Sequence, residues 1–466
     1  MKRLLYYSGL YAGSAALLKL AGVVLFLWLG RSLEVDEYGR FGLFYALQQG
    51  LAAFAMAGIV EAVVGRLKEH QSQALRAQLF SAARGAFLLM ALAAGGISLL
   101  VWVLFFRGSD MRLPTWICAV GAGVCLALST LLAQLVRLEE KHGSSLLLST
   151  VTPLSALLGS FVGFALARTV HSFFLGSVVG ALVCLLGWRI GRIGAWDIGI
   201  PFDQTRRILW RAVPFVLVTV LGWLGGYGNN YVIAVFFPRA EIARFTFALS
   251  IASVMLLIAT ALNQVWSPRF YRLIHEEPFE QVERKNQGFS RLLAMALGCV
   301  GGIVVLLFPV AIRILGGNLV AYQNMRLELS LLLAGYVLSA PRWQCDNHFL
   351  SNAMGQSVLW VALVTGVVGI ASLLILMVWL GPIGVYLGFL LQFGLRSMGS
   401  VVVARRHWPI RVGWDGIAVG LSMILVGFVL SAPGIPAVTT LASYSIIVVA
   451  LVGMFFRTEV NRLVAR

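Results

Sequence analysis

Two stretches of the chain share one pattern: "DEYGRFGLFYAL", residues 36–47, and "AEIARFTFALSI", residues 240–251. Each places a Glu three residues ahead of an Arg-Phe pair and then runs into apolar sequence. The matching residues are Glu37, Arg40 and Phe41, and Glu241, Arg244 and Phe245, about 204 positions later. A second match follows in the same order. "HGSSLLLSTVTPLSALLG" begins at His142 and "MGQSVLWVALVTGVVG" at Met354, with Gly143 and Gly355 about 212 apart. Two ordered matches at nearly one offset indicate a duplicated unit of roughly 200 residues.

The composition says what kind of unit this is. Hydrophobic residues make up 59% of the 466 and charged residues 12%, about half the charged share of ordinary soluble chains. Apolar runs of about 20 residues recur along the chain, each long enough to cross roughly 30 Å of hydrocarbon as a helix. Fourteen spans are expected: 8–29, 41–64, 85–106, 114–136, 145–167, 172–190, 212–236, 245–266, 291–312, 327–349, 357–380, 382–403, 414–432 and 438–456. The apolar N-terminal run is interrupted by Lys19 and lacks a small-residue cleavage site, so it reads as an uncleaved first span.

Placing the N-terminus in the cytoplasm puts about 24 Lys and Arg in inner segments and about 9 in outer loops, with three inside spans, out of 36. This is the bias of a positive-inside protein with an even span number and both termini cytoplasmic. It also explains the net charge of +17 without a nucleic-acid partner. The five cysteines lie in or beside apolar spans with no metal-site spacing, so no metal is expected. The connecting segments are too short for a soluble catalytic domain, and no enzyme is expected.

The duplication then covers spans 1–6 and 7–12. Six is even, so both copies face the same way, related by an axis along the membrane normal, as in many transporters. The expected organisation is all-α: a six-helix lobe at 1–190, a basic amphipathic cytoplasmic linker at 191–211, a second six-helix lobe at 212–405, and spans 13 and 14 at 406–466.

"DEYGRFGLFYALQQGLAAFAMAGIVEAVV", from Asp36, resembles the first corner and second span of polysaccharide flippases. "WRAVPFVLVTVLGWLGGYGNNYVIAVFFPRAEIARFTFALSIASVMLLIATALNQVWSPRFYRL", from Trp210, resembles their seventh and eighth spans. These proteins belong to the multidrug/oligosaccharidyl-lipid/polysaccharide exporter superfamily. The sequence departs from the pattern at Asn230 and Tyr231, where an Asp-Arg pair is common, and at Ala243, where the turn glycine is usual; Gly39 keeps that glycine in the first copy. The resemblance implies a flippase of the bacterial inner membrane. It would carry an undecaprenyl-diphosphate-linked oligosaccharide, such as an O-antigen or exopolysaccharide repeat unit, through a basic central cavity. It further implies membrane lipids as partners, association with glycan polymerase machinery, no bound cofactor, and H+ or Na+ as the coupling ion. A peptidoglycan-precursor flippase and a drug/cation antiporter of the same superfamily are the nearest alternatives. An integral-membrane glycan polymerase or ligase is a remote one.

Moving a diphosphate through a low-dielectric core requires cationic donors inside the spans. Lys19, Arg342 and Arg396 are the three candidates. Arg342 and Asp346 stand four apart in "PRWQCDNHF", on one helical face, so Asp346 is the candidate coupling residue. Gln48 and Asn230 are candidates for sugar hydroxyls, as more weakly are Gln49, Asn229, Asn263, Gln264 and Gln344. Interhelical hydrogen bonding explains these uncharged residues equally well.

Overall fold

The computed structural model describes residues 2–67, 73–108, 110–190, 201–352, 354–432 and 437–464. Among them every regular element is a helix. In the first half these are α1 (Lys2–Ser32), α2 (Val35–Phe54), α3 (Ile59–Leu67), α4 (Gln73–Val101), α5 (Leu113–Leu138), α6 (His142–Ala167) and α7 (Val170–Ile190). Then come α8 (Phe202–Leu224), α9 (Asn229–Phe236), α10 (Arg239–Ala252), α11 (Val254–Glu276) and α12 (Phe279–Leu315). The last are α13 (Arg326–Leu338), α14 (Ala340–Ser351), α15 (Gly355–Leu380), α16 (Ile383–Arg405), α17 (Trp414–Leu430) and α18 (Ala437–Val464). Eleven helical stretches are long and apolar enough to cross a membrane, with two shorter apolar helices in α17 and α18. The fourteen expected spans all fall on helices, and the chain is a multi-pass membrane protein.

Four of the spans are broken helices. Span 2 is α2 and α3, span 7 is α8 and α9, span 8 is α10 and α11, and span 10 is α13 and α14. Gly58, with φ +72°, makes the first break, and a side chain there would also strike the backbone of Ala212. Gly225, Gly226 and Gly228 make the second, turning back onto the Trp223 carbonyl through N–H bonds from Gly226 (3.0 Å) and Gly228 (2.8 Å). Pro341 stands in the first turn of α14, just past the break at Ser339.

One expectation is corrected. The expected spans 245–266 and 291–312 leave residues 267–290 as a connecting segment on the inner side. Instead α11 runs to Glu276 and α12 begins at Phe279, leaving a turn of two residues. Buried Val282, Glu283, Asn286, Phe289, Ser290 and Leu293 recur at helical spacing along the first turns of α12, so this polar segment is one face of a packed helix. Of the expected 191–211 linker, residues 191–200 lie outside the described residues; from Phe202 onward it is the start of α8.

The chain packs as two compact units, residues 1–246 and 247–466. In the first, α2 packs against α5, α8 and α9, and α8 also against α3 and α4. Spans 7 and the start of 8 thus pack with the first unit. Its tightest seam joins α6 and α7. Gly159 and Gly163 face Gly176 and Gly180, and a side chain at any of the four would strike the opposite backbone. Two such glycines four apart on each helix allow the close approach that replaces hydrophobic driving force in lipid. In the second unit α12 is central, packing against α11, α13, α14 and α17. Gly298 and Gly302 of α12 meet Gly420 and Gly427 of α17 in the same manner. Tyr444 of α18 donates to the Cys299 carbonyl at 2.9 Å. Spans 13 and 14 therefore dock on α12 of the second unit.

The two matching sequence corners also form matching structures. Arg40 donates to Glu37 at 2.6 Å and Arg244 to Glu241 at 3.4 Å, each pair three apart in the first turns of α2 and α10. Within the first unit these corners touch. Gly39 lies so close to the Arg239 carbonyl that a side chain would strike it, which explains the glycine here. Asp110 ties the corners together, accepting from Arg239 at 2.9 Å and Arg40 at 3.2 Å. The Arg239 hydrogen bond and charge, with Arg40 second, hold the Asp110 carboxyl below its ordinary value of 3.8.

Two outcomes test this packing. Gly176→Val forces α6 and α7 apart and should lower stability by about 1–3 kcal/mol, read as a lower thermal unfolding midpoint in detergent. Because the Asp110 pKa is depressed, its contribution is in place above about 3.8 and is lost as pH falls through the lowered value. The midpoint difference between wild type and Asp110→Asn should therefore be equal at about pH 7 and pH 5 and shrink only in stronger acid.

Candidate functional site

The most polar stretch inside the spans is α14, Ala340–Ser351, of the second unit. Arg342 donates to Asp346 at 3.1 Å, as their spacing requires. The pair keeps some access to its surroundings, with side chains 26% and 15% exposed. Arg396 on α16 lies within electrostatic reach of both, and α16 packs directly on α14. Arg396 forms no hydrogen bond or ion pair with a described residue and is half-buried. Tyr271 of α11 lies within electrostatic reach of Asp346, one helical turn from Ser267. Ser267 also donates to Asn347 at 3.0 Å, and Asn347 donates to Asn263 at 3.1 Å. Thus α11, α14 and α16 bring together two guanidiniums, one carboxylate and several neutral polar groups.

In the first unit the candidates part company. Lys19 sits midway along α1, half-buried, and no carboxylate pairs with it among the described residues. Asn230 is fully buried and donates to the Gly42 carbonyl at 2.9 Å. Tyr231 donates to the Leu43 carbonyl at 2.9 Å and Trp223 to the Ala46 carbonyl at 2.8 Å. These three side chains pin the broken span 7 along α2, and Asn230 serves this seam. Gln48 is 4% exposed, inside the α2–α5 contact where Gly123 meets its backbone carbonyl. Its Oε1 has no hydrogen-bond partner among the described residues.

A second cluster, not foreseen from the sequence, lies on the opposite side of α14. Glu283 of α12 is 2% exposed. Its Oε2 lies 2.8 Å from His348 Nε2. Its Oε1 accepts from Gln344 and from the Arg411 backbone N–H, each at 2.9 Å. Gln344 also donates to the Arg411 carbonyl at 3.1 Å. The His348 ring sits among Phe270, Phe279 and Trp408, with centroids 4.8–5.7 Å away. The network ties α12 and α14 to the segment after α16. The signal that could have revealed it is the helical spacing of apolar residues around Glu283.

A family model described as polysaccharide biosynthesis protein matches residues 8–274, more than half of the chain. The chain belongs to this family. With it comes membership of the multidrug/oligosaccharidyl-lipid/polysaccharide exporter superfamily. No curated protein sequence matches the chain. Among solved structures it is similar to the lipid II flippase MurJ in an inward closed conformation, with a TM-score of 0.72 over 97% of this chain and 99% of that one, at 13% identity. An inward-facing multidrug resistance MATE transporter of the MOP superfamily gives 0.62 over 84% and 94%, at 15% identity. A eukaryotic MATE transporter gives 0.56 over 91% and 98%, at 12%. At such identities the likeness is one of fold, and the family member described here shares it from end to end.

The buried network gives a sharp expectation. Glu283→Ala strips His348 and Gln344 of their shared acceptor and should destabilise the protein by about 3–5 kcal/mol, the scale for breaking a buried polar pair. Glu283→Gln keeps an acceptor oxygen and should cost clearly less. Thermal unfolding of the two purified variants compares them directly.

Proposed function

We propose that this protein moves an undecaprenyl-diphosphate-linked oligosaccharide, such as an O-antigen or exopolysaccharide repeat unit, from the inner to the outer leaflet of a bacterial inner membrane. Membership of the polysaccharide biosynthesis family supports a glycan cargo. The observation that carries the reading is that Lys19 and Arg396 lie in apolar spans without a paired carboxylate among the described residues. A protein keeps such charges at considerable cost, and an anionic cargo supplies the missing partner. A cationic drug would require the opposite, an excess of carboxylates. Both termini are then cytoplasmic, the action is translocation without bond making, and glycan polymerase machinery is a fitting neighbour.

In this mechanism the diphosphate binds Arg396 and competes with Asp346 for Arg342 on the second unit, while Lys19 of the first unit is a further cation for the anionic cargo. The freed Asp346 carboxylate, in a poor solvent, takes up H+ or Na+, since desolvation disfavours its bare charge. Cargo and cation then favour each other's binding by the same factor. Releasing both on the outer side lets the Arg342–Asp346 pair reform. Tyr271, Asn263 and Asn347 offer neutral donors and acceptors to sugar hydroxyls beside the pair. Gln48 adds an unpartnered acceptor in the first unit, while Asn230 contributes by holding span 7.

A second reading is a peptidoglycan-precursor flippase, favoured by the fold-wide likeness to the lipid II flippase. The cargo chemistry is the same polyprenyl diphosphate with a different glycan, so competition between the two lipids in one binding assay separates them.

Lys19→Ala and Arg396→Ala should each weaken cargo binding by on the order of 1–3 kcal/mol, the worth of a hydrogen bond to a charged group, or roughly tenfold or more. Lys19→Arg should keep part of it. Asp346→Asn should retain binding and lose dependence on an imposed ion gradient. Flipping of a lipid-linked glycan in proteoliposomes measures all four; full transport by the Lys19→Ala/Arg396→Ala double variant would remove these residues from the cargo site.

A further inference from the structure

The start of α8 in the first unit has two unlike faces. Thr205, Ile208 and Ala212 are buried, at spacings that put them on one side. Thr205 donates to the Ala82 carbonyl of α4 at 3.4 Å, and Ile208 sits in a core with Leu79, Phe80 and Ala83. That anchoring turns Arg206, Arg207, Trp210 and Arg211 outward. Arg66, in the last turn of α3, comes in beside them. Together with Asp203 these residues line a cleft of about 490 Å³.

The cleft concentrates charge of one sign. Four guanidiniums line it against a single carboxylate. Arg206, Arg207 and Arg211 form no hydrogen bond or ion pair with a described residue. Arg66 is 7% exposed, so its long side chain is held in place rather than free in solvent. Guanidinium groups match phosphate oxygens in a bidentate manner, and a cleft of this size admits a phosphate or diphosphate with its first linked group. The rim says where that phosphate comes from. Trp210, which lines the cleft, is 68% exposed, and Phe202, Val213 and Leu217 along the same helix are 52–70% exposed. An exposed indole beside arginines, followed by exposed apolar residues, is the chemistry of a lipid–water boundary.

We infer that the cleft between the end of α3 and the start of α8 binds the phosphate or diphosphate of a membrane lipid headgroup. The lipid is either an anionic phospholipid or a polyprenyl diphosphate; the recognising chemistry is the same. The site is separate from the α11–α14–α16 cluster, on a different unit, and binding to it needs no transport step.

Native mass spectrometry of the full-length protein in nonionic detergent tests this. The probes are phosphatidylglycerol, farnesyl diphosphate, zwitterionic phosphatidylethanolamine and inorganic pyrophosphate. Wild type should retain the two anionic lipids in preference to phosphatidylethanolamine, and the tighter of the two names the source. The Arg206→Ala/Arg207→Ala/Arg211→Ala variant alters exposed side chains, so its unfolding midpoint should stay near that of wild type. In the Lys19→Ala/Arg396→Ala background, where the proposed cargo site no longer contributes, it should bind both anionic lipids about tenfold or more weakly, and the corresponding triple Lys variant should recover part of the loss. The Lys19→Ala/Arg396→Ala protein should bind at this cleft as wild type does, which keeps a failure here distinct from a failure of the transport reading. Equal lipid binding by the Lys19→Ala/Arg396→Ala protein with and without the triple Ala change overturns the inference. So does pyrophosphate alone binding as tightly as the lipids.

Discussion

Hydrocarbon offers no hydrogen bonds, so each backbone N–H and carbonyl inside it must find its partner within the protein. That constraint makes every described element a helix, and it governs the four spans that are interrupted. A break exposes carbonyls and amides that a continuous helix would satisfy. At span 7 the loose end is secured locally, by amides of the glycine turn returning to the Trp223 carbonyl. It is then pinned by Trp223, Asn230 and Tyr231 along α2. At span 10 the break is followed by a half-helix whose side chains are unusually polar, since protein rather than lipid surrounds them. The broken spans are thus where polar chemistry can enter the core, and the candidate cargo cluster sits on one of them.

The same half-helix separates two kinds of polarity. On one side Arg342, Asp346 and Arg396 leave cationic valence unspent and keep partial access. On the other, Glu283 has its oxygens occupied by Gln344, His348 and the Arg411 amide, behind a wall of aromatic rings. A buried network of this sort, centred on a carboxylate with both oxygens engaged, fixes the position of α14 against α12. A half-satisfied cluster beside it then has a rigid platform on which to exchange partners. Positioning and exchange are divided between two faces of one twelve-residue helix.

Much of this was legible in the sequence, for identifiable reasons. Span positions follow from apolar run length. The corner pairs Glu37–Arg40 and Glu241–Arg244, and the pair Arg342–Asp346, follow from helical spacing, because local contacts need no knowledge of the fold. Glu283 was not legible: the polar segment around it reads as a solvated loop until neighbouring helices supply Gln344 and the Arg411 amide. Asn230 shows the opposite limit. A polar residue in a span can face cargo or a neighbouring carbonyl, and the bond from the Asn230 amide to the Gly42 carbonyl is visible only in the fold. Nor could the sequence duplication foretell that span 7 packs with the first unit, since homology of segments and partition of contacts are different properties.

The corner at Asp110 has a consequence for the setting in which the protein works. Its carboxylate is 62% exposed and is shared by Arg40 and Arg239. Ions in the adjoining solution therefore reach all three charges, and at about 0.15 M salt screening acts over roughly 8 Å. The Glu283–His348 contact, almost wholly buried, is beyond their reach. One molecule accordingly holds a fastening whose strength follows the salinity of the water beside it and another that ignores it, so a change of medium loosens the first and spares the second.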